Sequence, residues 1–65
     1  MKYKVRACIY GEVVEEKESN SLKEMRDWWR KRWKRTEDYG DCFCEWFIDG
    51  KYQDISQKIR LEGKK

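Results

Sequence analysis

Trp28-Trp29-Arg30-Lys31-Arg32-Trp33-Lys34-Arg35 is the stretch on which the fold turns. It mixes three tryptophans with five cations. Trp carries the largest apolar surface of any side chain, and Arg and Lys are the residues that hold phosphate or carboxylate. Upstream, Ser21-Leu22-Lys23-Glu24 has the spacing of a capping box. Ser21 can accept from the Glu24 amide, and Glu24 can reach back. Leu22, Met25, Trp29 and Trp33 then recur at helical spacing along one stripe, with Trp28 at its edge. Lys23, Arg30, Lys31 and Lys34 fall opposite, with Asp27 among them. The pattern predicts one helix over residues 21–35, roughly 22 Å long at ~1.5 Å per residue. Residues 36–41, with Gly40, read as its exit loop.

Outward from the helix, the turn signals come in pairs. Asp49-Gly50 is a dipeptide favoured in type I′ hairpin turns, where both central residues need positive φ. Cys42 to Ile48 before it reads as a strand, and the segment after it reads as strand through about residue 57. Asp54-Ile55-Ser56-Gln57 also has the form of a helix start, so residues 53–61 suit either state. At the N-terminus, Val5 to Val14 repeats the alternation around Tyr10-Gly11, with Ile9 matching Ile48 and Gly11 matching Gly50. This reads as a second hairpin, against the alternative of one long strand bulged at Gly11.

The expected fold is α+β: two β-hairpins flanking one amphipathic helix (ββαββ), an antiparallel sheet with the helix on one face. Two-residue turns fix which side chains share a face. One face receives Tyr3, Val5, Ala7, Ile9, Val14, Cys42, Cys44, Trp46, Ile48 and Ile55. The helix stripe covers it, burying Trp29 and Trp33 against Val5, Ala7 and Ile48. The other face receives Lys4, Arg6, Cys8, Val13, Phe43, Glu45, Phe47 and Tyr52. A single helix covers one face only, so this second face awaits water, a partner or the C-terminal Ile59 and Leu61.

A hairpin with a Gly turn, a charged helix and an aromatic hairpin, as in Ile9-Tyr10-Gly11-Glu12-Val13 and Ile48-Asp49-Gly50-Lys51-Tyr52, is similar to many short proteins of phages and other mobile elements. The likeness is one of architecture, and such proteins share no activity. The expected function is a small non-enzymatic protein-interaction module, an accessory of a phage or mobile element that docks on a host protein and modulates it.

Sixty-five residues make a single small domain, 1–65, with 62–65 expected as a disordered tail. Charged residues make up 45% and hydrophobic ones 38%, a balance that leans toward disorder. Aromatics at 15%, a net charge of only +3 and the absence of proline argue for a folded chain. That charge is unevenly placed. Residues 21–36 carry seven basic and two acidic side chains, while residues 37–54 carry six acidic and one basic. No apolar run approaches the length of a signal-peptide core or a membrane span, so neither is expected, and the expected compartment is the cytoplasm. Three cysteines without a histidine fit free thiols in a reducing compartment better than a disulfide framework.

Catalytic, cofactor and metal sites are not expected. Cys42-Phe43-Cys44 is spaced too closely for a structural zinc pair, and Cys8 falls on the other face, where it would be an exposed thiol. Glu45 and Asp54 fall opposite each other in the expected hairpin, a like-charge pair that Arg6 or Lys51 would relieve. No nucleophile, histidine or phosphate loop accompanies them. What stands out is binding surface. Phe43, Phe47, Tyr52 and Val13, rimmed by Arg6 and Glu45, form an apolar patch suited to a protein partner. The alternative is a nucleic-acid-binding module using Lys23, Arg30, Lys31, Lys34, Arg35 and Lys4, and a third reading is a structural homodimer. No membrane and no small-molecule substrate is expected as a partner.

Overall fold

The computed structural model describes residues 1–63. The order is β1 (Tyr3–Ile9), β2 (Glu12–Ser19), α1 (Leu22–Arg32), α2 (Lys34–Asp38), β3 (Cys42–Ile48), β4 (Lys51–Tyr52) and α3 (Ile55–Glu62). The class is α+β, with a four-stranded antiparallel sheet ordered β2-β1-β3-β4 and three helices. The ββαββ order gains two helical segments.

Both hairpin turns form as the sequence indicates. Tyr10 and Gly11 have φ of 51° and 82°, and Asp49 and Gly50 have 51° and 80°. Positive φ at both central residues matches the right-handed strand twist. Tyr10 is the costly member, because its Cβ opposes this conformation. The two hairpins join along β1 and β3, pairing Val5 with Trp46, Ala7 with Cys44 and Ile9 with Cys42.

α1 begins where the capping signal lies. The Glu24 amide donates to Ser21 Oγ at 3.2 Å. The reciprocal half is relayed: the Glu24 carboxylate accepts from Ser19 Oγ at 3.0 Å, and Ser19 Oγ accepts from the Ser21 amide at 3.0 Å. The helix does not run straight to Arg35. Trp33 leaves helical φ at −121° and separates α1 from α2, which occupies the first half of the expected exit loop. The hydrogen bonds from Trp33 N to Trp29 O (2.8 Å) and from Glu37 N to Trp33 O (2.9 Å) carry the chain through this kink.

The core is Val5, Ala7, Met25, Trp29, Cys44 and Trp46, with Tyr3, Leu22, Trp28, Trp33 and Leu61 partly buried against it. Trp29 and Trp46 meet edge to face, their ring centroids 6.4 Å apart. Rings of this size dominate the energy of so small a core. Trp29 thus lies where its stripe directs it. Trp33 is only half-buried, because the kink swings it outward to donate its indole N–H to Glu15 Oε1 at 3.0 Å. Ile48 is half-buried and outside the cluster.

Two further expectations are corrected. β4 stops at Tyr52, and Asp54 caps α3 by accepting from the Gln57 amide at 3.0 Å. The strand through residue 57 therefore does not form, and Ile55 is 73% exposed at the start of α3. In β2, the pairing shifts between Ala7 and Cys8, which leaves Val14 as the extra residue of a bulge and half-exposed. The disordered tail expected over 62–65 does not hold for Glu62, which is buried in α3, or for Gly63, its left-handed cap. Residues 64 and 65 lie outside the described residues.

α3 packs beside α1 on the covered side of the sheet. Its C-terminal carbonyls have no partners within the helix. α1 supplies them: Arg26 Nε donates to Leu61 O, Arg26 Nη2 to Arg60 O at 3.0 Å, and Arg30 Nη2 to Glu62 O at 3.4 Å. Cations at a helix C-terminus also oppose its dipole favourably.

Candidate functional site

The uncovered face of the sheet collects every residue assigned to the partner patch. Val13, Cys8 and Phe43 form one cross-strand row. Glu16, Arg6 and Glu45 form the next, and Glu18, Lys4, Phe47 and Tyr52 the third. Tyr52 is 61% exposed, Val13 49% and Phe43 47%. Phe47 is half-buried: the Tyr52 ring meets it edge to face at 5.9 Å, and the Arg6 guanidinium lies 5.1 Å from its centroid. α3 does not cover this face. Trp46, whose indole N–H donates to Glu62 Oε2 at 3.2 Å, points to the opposite side, so α3 sits there.

The face is more charged than its aromatics suggest. Glu16 and Glu18 join it, and sequence reading missed them. Glu16 accepts ion pairs from Lys4 (3.5 Å) and Arg6 (3.2 Å), so neither cation is open for phosphate. Glu45 lies directly opposite Arg6, and Asp54 is spent on capping α3, so the expected repulsion between Glu45 and Asp54 does not arise. Cys8 is buried at 3% exposure, not an open thiol. Burial and the neighbouring Glu45 carboxylate push its pKa up.

The second constellation lies partly to fully buried under the helices and was not visible in the sequence. Glu37 accepts from the Trp29 indole N–H with one carboxylate oxygen and from the Cys44 amide at 3.1 Å with the other. Lys58 Nζ donates to Glu37 Oε2 at 2.8 Å and lies 3.9 Å from Glu62 Oε2. Burial works against the Lys58 charge, but its hydrogen bond to Glu37 and the charges of Glu37 and Glu62 outweigh it, and its pKa rises. The two core indoles are thus tied to two carboxylates that share one ammonium. Glu37 also satisfies the Cys44 amide on the side of β3 facing away from β1, where β4 is too short to reach.

The helix cations divide. Lys23 pairs with Asp27 at 2.9 Å and holds that carboxyl below its usual range. Arg30 reaches the end of α3, and Arg32 forms a two-pronged pair with Glu15 at 2.7 and 2.8 Å. Lys31, Lys34 and Arg35 are exposed and make no ion pair among the described residues.

All three thiols are buried, and burial is the largest cause of the raised pKa of each. A buried thiol with a raised pKa is a poor nucleophile. Among the described residues, no group of three His, Cys, Asp or Glu side chains is placed to hold a metal ion. An open concavity of about 390 Å³ at the β2–α1 turn is lined by Met1, Glu18, Ser19, Asn20, Ser21 and Glu24, away from both constellations. No helix among the described residues is long and apolar enough to cross a membrane. No family model matches the chain, and neither a curated protein nor a solved structure matches it significantly.

Proposed function

We propose that this chain is a small non-enzymatic interaction module that docks on another protein through the open face of its sheet. The observation that carries the reading is the exposure of Phe43, Tyr52 and Val13 on the side that no helix covers. Aromatic residues in a patch rimmed by charge are the composition of a protein contact. The apolar side, on β3 and β4, supplies burial. The charged side, on β1 and β2, supplies both signs through Lys4, Arg6, Glu16 and Glu18, and so orients the partner. Ion pairs already formed between Arg6, Lys4 and Glu16 argue against phosphate contact on this face. In this reading the chain is an accessory protein of a phage or mobile element, and its partner is a host protein that it modulates.

The test is paired capture from the source cell with the wild-type chain and a Phe43→Ser variant. The expected result is one protein retained by the wild type and lost by the variant, then confirmed with purified components. Identical capture by both baits would remove the sheet face from the account. A molar mass of twice the chain in solution, reverting to one chain in the variant, would make the occupant a second copy.

A further inference from the structure

We infer that the outward ridge of α1 and α2 is a second binding surface, which holds the phosphate backbone of duplex nucleic acid without reading its sequence. At helical spacing Lys23, Asp27, Lys31, Lys34 and Asp38 fall on the side away from the buried Met25 and Trp29. The preserved hydrogen bonds across Trp33 keep this periodicity through the kink. Arg35 sits beside them. Lys31, Lys34 and Arg35 have no ion pair among the described residues, whereas the other four cations of α1 already hold Asp27, Glu15 or the carbonyls of α3. An unneutralised cluster of this kind projects a positive field.

Acidic side chains are mostly withheld from the ridge. Glu15 and Glu16 are paired on β2. Glu37 and Glu62 are turned inward onto Lys58. Docking of α3 by Arg26 and Arg30 adds the exposed Arg60 to the same layer. Asp27 and Asp38 are the acids left on the ridge, and Asp27 is held by Lys23.

The shape favours a duplex. The cations without an ion pair among the described residues run from Lys31 to Arg35, about 6 Å of convex helix at ~1.5 Å per residue. A convex stretch of this length lies against successive phosphates of one strand, which a duplex holds at regular, close spacing. Lys31, Lys34 and Arg35 are exposed and no ion pair among the described residues fixes their geometry for a base edge, so their contacts are to the backbone.

The experiment is fluorescence anisotropy of a short mixed-sequence DNA duplex with the full chain. Three phosphate contacts predict a loss of about forty-fold in affinity between roughly 50 and 200 mM salt. A Lys31→Gln/Lys34→Gln/Arg35→Gln variant should bind at least tenfold more weakly at the lower salt and lose most of the salt dependence, with an unchanged melting curve. Phe43→Ser should bind DNA like the wild type, which separates this surface from the sheet face. No binding at low salt, a salt-independent affinity in the wild type, or equal affinity in the triple variant would each overturn the inference. So would tighter binding of a single strand that is lost on Phe43→Ser.

Discussion

Trp46 and Phe47 are neighbours in the chain, and they occupy opposite sides of the same strand. Trp46 is fully buried, edge to face with Trp29, its indole N–H held by Glu62. Phe47 is half-buried, touched by Tyr52 and the Arg6 guanidinium. The alternation of β3 is apolar on both sides, with Cys42, Cys44 and Trp46 on one and Phe43 and Phe47 on the other. The difference comes from the lid. α1 and α3 cover one side, lock each other through Arg26 and Arg30, and enclose a polar network beneath them. The other side has cross-strand rows alone. A sheet face of rings thus becomes core or contact surface according to what the helices reach.

The comparison breaks most visibly at Trp29. Trp29→Ala empties the centre of the lidded side and should cost about 3–5 kcal/mol. A chain of this size has roughly 3–10 kcal/mol in total. The expected outcome is a largely unfolded variant by circular dichroism at room temperature. Next comes Glu62→Ala, which leaves the Trp46 indole without that acceptor and Lys58 with Glu37 as its carboxylate. A loss of about 1–3 kcal/mol is expected in urea unfolding. Glu62→Gln keeps an acceptor for the indole and should lose less.

The same network gives a pH signature on the lidded side. The Lys58 pKa is raised in the folded state by Glu37 and Glu62 against the opposing effect of burial. Its contribution is therefore fully present below the unfolded value of about 10.4 and disappears as pH rises through the higher folded value. Stability should fall across that alkaline window by more in the wild type than in Lys58→Met. Equal alkaline slopes would show that Lys58 is not held by this pair. A smaller effect is expected at the helix start. Ser21→Ala removes the acceptor for the Glu24 amide and should cost about 1 kcal/mol in thermal or urea unfolding.

Much of the lidded side was legible. Tyr10-Gly11 and Asp49-Gly50 marked both hairpins, and the spacing of Met25 and Trp29 marked the buried stripe, because turn chemistry and periodicity act locally. The misses share a cause in tertiary contact. Trp33 has good helical spacing, but its indole finds Glu15 across the structure, and the helix kinks there. The bulge at Val14 inverts the parity of the rest of β2. Strict alternation from Val13 would place Glu15 outward and Glu16 inward, and the structure has the reverse. That slip hid the acids that neutralise Lys4 and Arg6. α3 did carry a signal, Asp54 at its start and Gly63 at its end, which a strand reading of Ile55 overrode. Glu37, Lys58 and Glu62 left no trace, since charged residues in a highly charged chain look solvated until the fold encloses them.

The open side is tested most directly by the urea unfolding of a Phe43→Ser/Tyr52→Ser double variant. Both rings are about half or more exposed, and Tyr52 makes one edge-to-face pair with Phe47, so the fold should lose no more than about 1 kcal/mol per site, with an unchanged slope. That result would leave the face as surface available to a partner, in contrast to Trp29→Ala. A loss approaching that of Trp29→Ala would contradict the account and make the face a second core.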